Sequence, residues 1–141
     1  MKNKDMKKVY IGMMGFGYIA QGGFKLIREQ KEYIAKKTGK ELEIIRIAEK
    51  DPEKLSSVPE DALEGISVSS RAEDVYSDPQ VDIVVELIGG VEPASGLVKA
   101  ALEAKKYVVT ANKDMMANRG GELYQAAEEN DVDILFEASV L

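Results

Sequence analysis

Two glycines and an alanine, Gly15, Gly17 and Ala20, have the spacing of a turn that receives the pyrophosphate of a dinucleotide. They follow an apolar run, Val9–Met14, that predicts a strand, and they precede a long stretch with helical periodicity. In such a turn the first glycine permits a tight bend, and the second lets a phosphate approach the backbone. The small third residue allows helix and strand to pack together. The alternative interpretation is a glycine-rich turn that binds nothing.

The first residues of the predicted helix, Tyr18, Ile19 and Ala20, would complete this site through their backbone. The first N–H groups of a helix lack acceptors within the helix, and the helix dipole places partial positive charge there. An anion is therefore stabilised at this position. We predict that the stretch 15–20 binds the pyrophosphate of NAD or NADP.

Charged residues follow the second predicted strand, where a group that reads the ribose is expected. A carboxylate at Glu49 or Asp51 would accept a hydrogen bond from a ribose 2′-hydroxyl and favour NAD. The ammonium of Lys50 would instead pair with a 2′-phosphate and favour NADP. Because both signs of charge are adjacent, the sequence leaves the choice between the two cofactors open. A solvated turn accounts for at least two of these three residues.

A buried carboxylate and two glycines end the fourth predicted strand. Gly89 and Gly90 would allow a ligand to lie against bare backbone, or they form a turn with positive φ before the helix that begins near Pro93. Glu86 interrupts an apolar strand, and a buried carboxylate needs a partner. We therefore expect Glu86 to anchor a neighbouring loop.

Polar residues also follow the fifth predicted strand, at Thr110, Asn112 and Lys113. An ammonium group at Lys113 would project toward the cofactor, where it could polarise a carbonyl or alkoxide oxygen during hydride transfer or move a proton. The alternative for a lone lysine after a strand is simple solvation.

The composition excludes several classes of protein. The chain has 141 residues, the size of one domain, and its net charge of −6 argues against a nucleic-acid or anionic-membrane surface. It contains neither cysteine nor histidine, which excludes disulfides, thiolate chemistry and zinc sites built on those residues. The lack of cysteine fits a cytoplasmic protein. No apolar run reaches about 18 residues, so no membrane span is predicted.

Strands alternate with helices along the whole chain, which predicts an α/β fold with a doubly wound parallel sheet, a Rossmann fold, and helices on both faces. The right-handed crossover rule favours the strand order 3-2-1-4-5-6. Residues 1–8 are predicted to be a disordered basic tail, and 9–141 a dinucleotide-binding domain. The six predicted strands are Val9–Met14, Leu42–Ala48, Ile66–Ser69, Val81–Ile88, Tyr107–Thr110 and Val132–Phe136.

Helical spacing also predicts which side chains face the sheet. The first helix is expected to continue to Thr38. A later helix is centred on Gly121–Glu129 with Leu123, Tyr124 and Ala127 inward. The helix that begins near Pro93 is expected to have its apolar side at Ala94, Leu97, Val98, Ala101 and Leu102. The inward stripe predicted for the first helix consists of Ile19, Gly23, Leu26, Ile27, Gln30, Tyr33 and Ile34.

Four segments together resemble the N-terminal NAD(P)-binding domain of homoserine dehydrogenase. They are GFG at 15–17, VDIVVELIGGVEPA at 81–94, YVVTANK at 107–113 and FEASV at 136–140. The resemblance extends from residue 9 to residue 140. It implies a cofactor domain of an enzyme that interconverts aspartate-4-semialdehyde and homoserine, on the route to threonine and methionine.

The resemblance also implies roles for particular residues. Gly89 and Gly90 would lie near the nicotinamide, with Glu86 supporting that loop. Lys113 matches a lysine thought to assist proton transfer beside nicotinamide and substrate. Glu137 and Val140 match positions that help to bind a monovalent cation, Na⁺ or K⁺, in the full-length protein. The family's substrate-binding residues lie beyond residue 141, so we expect this chain alone to be inactive and the full-length protein to be a homo-oligomer.

Two departures from the family pattern are present. Ala20 replaces a glycine, and Leu141 stands where the family has a small residue. Two other functions stay possible on the sequence alone. One is a stand-alone NAD(P)-binding module that senses redox state, and the other is a different amino-acid or semialdehyde dehydrogenase with the same first domain.

Overall fold

The structure, a computed structural model, describes residues 6–137. Its centre is a six-stranded parallel sheet with the order β3-β2-β1-β4-β5-β6, which confirms the predicted fold class and strand order. The order reverses between β1 and β4, so the carboxyl ends of those two strands border a crevice. The strands are β1 Lys7–Met14, β2 Lys40–Ala48, β3 Ser67–Ser69, β4 Ile83–Glu86, β5 Tyr107–Thr110 and β6 Ile134–Phe136.

Helices cover both faces of the sheet, as predicted. On one face Phe24 of the first helix packs with Ile11 and Ile47 of the sheet. On the other face Val98 and Leu123, from two later helices, pack with Val84, Val108 and Ile134 of the sheet. The helices are α1 Tyr18–Glu29, α2 Lys31–Thr38, α3 Glu73–Tyr76, α4 Ala94–Glu103 and α5 Lys113–Glu129.

The first strand begins two residues earlier than predicted. Lys7 and Lys8 pair in register with Lys40 and Glu41 of β2, so the boundary of the predicted disordered tail at residue 8 is wrong. An ion pair of 3.3 Å between Lys8 and Glu43 adds to this pairing. Cross-strand pairing therefore orders these two polar residues. Residues 1–5 of the predicted tail lie outside the described residues.

The predicted inward stripe of the first helix is wrong at several positions, although Ile27 is partly buried and packs against the core. The helix ends at Glu29 and a second one begins at Lys31. The side chains of Ile19, Leu26 and Tyr33 are 70%, 59% and 58% exposed, whereas Ala20 and Phe24 are buried. One residue step rotates a helix by about 100°, so a neighbouring row faces the sheet. Phe24 fixes that rotation, because its ring packs edge-on against the ring of Phe16 with centroids 5.5 Å apart.

The later helices agree better with the predicted pattern. In α4, Ala94, Val98, Ala101 and Leu102 are buried as predicted. In α5, Leu123 and Ala127 are buried, but Tyr124 is half exposed. Helix α5 begins at Lys113, immediately after β5, and this start positions the site residues described below. Within 6–137 no helix is both long and apolar enough to cross a membrane.

Candidate cofactor-binding site

The turn after β1 can be formed only by glycine at its first position. Gly15 has φ of +95°, and a Cβ atom there would lie 2.9 Å from the carbonyl carbon and oxygen of Leu87. Its N–H donates to the carbonyl of Ala48 at 2.8 Å. The turn is thereby attached to β2 on one side and lies against the end of β4 on the other.

The start of α1 offers unused hydrogen-bond donors. Gly17 is the N-cap and provides no side-chain cap, and the first turn contains no acidic residue. Within 6–137 no acceptor is found for the N–H groups of Tyr18, Ile19 and Ala20. A Cβ atom at Gly17 would meet nothing within 4 Å. The geometry therefore provides the bare backbone and the positive helix end that an anion needs.

The carboxylate of Glu49 is joined to the glycine turn. Its Oε1 accepts from the N–H of Phe16 at 2.6 Å, and its Oε2 accepts from the N–H of Asp51 at 2.9 Å. The Nζ of Lys54 lies 3.9 Å from Oε2. The Asp51 side chain instead accepts from Glu53 N–H and caps a 3₁₀ turn. Of the two candidate carboxylates, Glu49 is therefore the one at the crevice.

A cavity of about 670 Å³ lies between the glycine turn, the ends of β2 and β3, and the end of β4. This volume is within the range of sites for small molecules and cofactors. Lys50, Lys54 and Arg71 line it and carry positive charge. Arg71, which forms an ion pair with Glu73, was not predicted from the sequence as a site residue. The available signal was its position after β3, since parallel neighbouring strands end at the same edge of the sheet.

The carboxylate of Glu86 is buried at the end of β4, only 1% exposed, and accepts four hydrogen bonds. Its Oε1 accepts from the hydroxyl of Thr110. Its Oε2 accepts from the N–H groups of Ile88 and Gly89 at 2.9 and 3.1 Å, and from Nδ2 of Asn112 at 3.4 Å. Glu86 therefore anchors the glycine loop after β4, as predicted.

That loop and the start of α5 meet at Asn112. Its Nδ2 donates to the carbonyl of Gly90 at 2.7 Å, and its Oδ1 caps α5 by accepting from Met115 N–H at 3.0 Å. Gly89 and Gly90 have φ of +87° and +75°, which favour glycine. Lys113 is the first residue of α5 and its side chain is exposed.

A second contact holds the outer part of this loop. Oε2 of Glu92 accepts from the hydroxyl of Ser95 at the start of α4 and lies 3.5 Å from Nε of Arg119 in α5. The hydrogen bond from Ser95 lowers the pKa of Glu92, and the nearby guanidinium of Arg119 acts in the same direction. The loop is therefore attached to both helices that follow it.

The family profile described as "Homoserine dehydrogenase, NAD binding domain" matches residues 15–137. The chain belongs to this family. Among curated relatives, homoserine dehydrogenase of Bacillus subtilis is 41% identical over 137 residues, and that of Pseudomonas aeruginosa is 37% identical over 135 residues. Each alignment covers 96% of this chain and 30% of the relative. The chain thus spans about a third of the length of these homoserine dehydrogenases.

Solved structures lead to the same family. A homoserine dehydrogenase from Thiobacillus denitrificans matches with a TM-score of 0.85 and 37% identity, over 94% of this chain and 30% of that one. A hyperthermophilic archaeal homoserine dehydrogenase in complex with NADPH matches with a TM-score of 0.73 and 27% identity, over 94% of this chain and 44% of that one.

The positions expected from the homoserine dehydrogenase resemblance to bind a cation are described only in part. Glu137 follows β6, its side chain is exposed, and its N–H donates to the carbonyl of Thr110 at 3.1 Å. Val140 lies outside the described residues. No group of three or more carboxylates that could hold a metal ion is found between residues 6 and 137.

Proposed function

We propose that this chain binds NAD or NADP in the crevice between β1 and β4. The observation that carries the proposal is the glycine turn, with unused helix N–H groups on one side and the Glu49 carboxylate on the other. The pyrophosphate would lie at Gly15–Ala20, the residues predicted from the sequence. The family match and the NADPH-bound archaeal relative support the same ligand class.

The crevice has two chemically different halves, which support one orientation of the dinucleotide. The β2–β3 half holds Glu49 beside Lys50, Lys54 and Arg71, and a carboxylate after the second strand is the usual partner of the adenosine ribose. The nicotinamide would then lie on the β4–β5 side. There it would be near Gly89, Gly90 and Lys113.

The same residues bear on the choice between NAD and NADP. Glu49 can accept a hydrogen bond from a ribose 2′-hydroxyl and would repel a 2′-phosphate. Lys50, Lys54 and Arg71, the three cations that line the same cavity, would attract that phosphate. We propose that Lys50 reads the phosphate when NADP binds.

We propose that the longer protein is a homoserine dehydrogenase that interconverts homoserine and aspartate-4-semialdehyde. The nicotinamide supplies the hydride chemistry. Lys113, at the carboxyl end of the central sheet, would stabilise the developing alkoxide oxygen or move a proton to or from it. This chain would position the cofactor, and the substrate site would need the residues that the relatives have in addition.

Substitutions of two glycines test the cofactor site. Gly17→Val would place a branched side chain where the phosphates approach, and its Cβ atom would meet nothing within 4 Å. Gly22→Val is the matched control on the exposed side of α1. Calorimetric titration with NADH and NADPH should show binding to the wild type and the control, and at least about tenfold weaker binding to Gly17→Val. Equal affinity of the two variants would contradict the proposal.

A chimera tests the enzymatic activity. This chain would replace the matching residues of the Bacillus subtilis homoserine dehydrogenase, and homoserine oxidation would be followed by the absorbance of the reduced nicotinamide. The chimera should turn over homoserine, and Lys113→Met should lower kcat by about 100-fold or more. Lys99→Met, an exposed lysine of α4, is the control. An active chimera that tolerates Lys113→Met would remove the proposed role of Lys113.

The same chimera tests the other properties expected of the longer protein. We propose that the longer protein is a cytoplasmic homo-oligomer and that its Glu137 and Val140 contribute to a monovalent cation site. Its size in solution and the dependence of its rate on Na⁺ and K⁺ measure the oligomeric state and the cation site. A monomer, or a rate indifferent to both ions, would contradict the respective proposal.

A further inference from the structure

The polar side chains after β5 have their hydrogen-bonding groups occupied within the protein. The hydroxyl of Thr110 donates to Glu86 and accepts from the N–H of Asn112 at 3.0 Å. Both N–H bonds of the Asn112 amide are directed to acceptors, the carbonyl of Gly90 and the carboxylate of Glu86. Its Oδ1 caps α5. Neither side chain has a donor left for a ligand.

The sheet register explains why these residues meet. Glu86 and Thr110 are direct neighbours in the parallel pairing of β4 with β5, and both face the side of the sheet that α4 and α5 cover. Alternation along the strands buries them with Val84 and Val108. A charged group at such a site needs donors on every side. The four donors to Glu86 supply them.

We propose that Thr110 and Asn112 are positioning residues rather than cofactor ligands. Through Glu86 they hold the loop 88–90 against the first turn of α5. The loop and Lys113 are attached to different strands, and this network connects the inner part of the loop to the residues that precede and begin α5. It would keep both walls of the nicotinamide half of the crevice in one arrangement before the cofactor enters, which lowers the ordering cost of binding.

The inference rests on the proposed cofactor site, but part of it can be tested without any ligand. Asn112→Ser keeps a good N-cap for α5 and removes the donor to Gly90. Asn118→Ser is the matched control, since it also removes an amide-to-carbonyl bond, at 2.7 Å to Asp114, on the exposed side of the same helix. Amide hydrogen exchange of Gly89 should accelerate several-fold in Asn112→Ser alone, while Met115 keeps its protection.

The ligand test separates the two halves of the dinucleotide. NADH and ADP-ribose, which lacks the nicotinamide, would be titrated into the wild type and both variants by calorimetry. Asn112→Ser should weaken the binding of NADH about fivefold, which corresponds to one ordinary hydrogen bond. It should weaken the binding of ADP-ribose by less than about twofold. The control should bind both ligands as the wild type does.

Substitutions of Thr110 provide the second pair of variants. Thr110→Val removes the hydroxyl at nearly constant volume and should reproduce the selective loss of NADH affinity, whereas Thr110→Ser keeps the hydroxyl and should restore it. A purely structural role would weaken both ligands together.

The outcomes distinguish this inference from the proposed function. Failure of the wild type to bind either ligand would contradict the proposed function. Normal binding with equal losses for NADH and ADP-ribose, or with no loss at all, would overturn only the positioning role. Unchanged exchange of the Gly89 amide in Asn112→Ser would also overturn it.

Discussion

Two carboxylates lie at the carboxyl edge of the same sheet and have different roles. Glu49 follows β2, and Glu86 ends β4, and each accepts hydrogen bonds from backbone N–H groups of a neighbouring turn. The Glu86 residue is 1% exposed and the Glu49 side chain 8% exposed. Burial alone therefore does not distinguish the two carboxylates. They differ in the number of hydrogen-bond donors that each receives.

The capacity of a carboxylate for hydrogen bonds explains the difference. Its two oxygens have about four acceptor positions. Glu86 receives four donors from within the protein, so its hydrogen-bonding capacity is used mainly to stabilise the fold. Glu49 receives two backbone donors and a distant lysine, so it can still accept a hydroxyl from a ligand. A carboxylate with spare acceptors at a crevice is the better candidate for binding.

Removing each carboxylate should separate the two roles, and the largest effect is expected at Glu86. Glu86→Ala would take the acceptor from four donors, among them the buried hydroxyl of Thr110, and we expect it to lower the free energy of unfolding by about 3 kcal/mol. Glu49→Ala should cost only about 1 kcal/mol. Urea unfolding followed by circular dichroism measures both. A smaller loss at Glu86 than at Glu49 would reverse the assignment.

Cofactor affinity should respond in the opposite order. Glu49→Ala removes the acceptor for the ribose and loosens the N–H of Phe16 in the glycine turn, so we expect about tenfold weaker binding of NAD. Calorimetric titration at a temperature where the variant is fully folded measures this change. Wild-type affinity in Glu49→Ala would show that the spare acceptors have no function.

A smaller effect is expected at the cation next to Glu49. Because Lys50 is exposed, we expect Lys50→Ala to weaken the binding of NADP by about fivefold and to leave the affinity for NAD unchanged. Separate titrations with the two cofactors measure the ratio, and Lys99→Ala provides the control. If NAD and NADP weaken equally, or if neither changes, Lys50 does not read the phosphate.

The smallest effect is expected at a third carboxylate, remote from the crevice. The hydrogen bond from Arg46, at 2.8 Å, holds the pKa of Asp78 below its ordinary value of 3.8, with a further contribution from the N–H of Gln80. The ionised form thus stabilises the folded state above about pH 4, and that stabilisation is lost as the pH falls through the lowered pKa.

Asp78→Asn should therefore cost about 1 kcal/mol or less at neutral pH. Its difference from the wild type should shrink below about pH 4. Unfolding by urea across this range of pH measures the difference. A difference that does not change with pH would mean that the ion pair contributes nothing to stability.

The sequence predicted the features that depend on local pattern. The strand order and the position of the turn at Gly15 follow from alternating elements and glycine spacing. The burial of Glu86 follows from its position in an apolar strand. The prediction of which side of α1 faces the sheet was wrong at several positions because two neighbouring rows of that helix are apolar. Only the contact of Phe24 with Phe16 selects one of these rows.

Contacts between distant residues could not be predicted in this way. The link from Glu86 to Thr110 and Asn112 depends on the register of β4 with β5, across 24 and 26 residues of sequence. The choice of Glu49 over Asp51 depends on where β2 ends relative to the glycine turn, and the length of the preceding helices obscured that register. The Glu86 contacts and the position of Glu49 at the crevice are both determined by how distant strands pair and end in the folded chain.

The measurement that tests the cofactor site most directly is a titration of the ¹⁵N-labelled chain with NADPH, followed by amide chemical shifts. We expect the largest shifts at the N–H groups of Tyr18, Ile19 and Ala20, with smaller ones at Phe16 and Lys50. Shifts that leave these amides unchanged and cluster elsewhere, or no shifts at saturating NADPH, would contradict a pyrophosphate site at the start of α1.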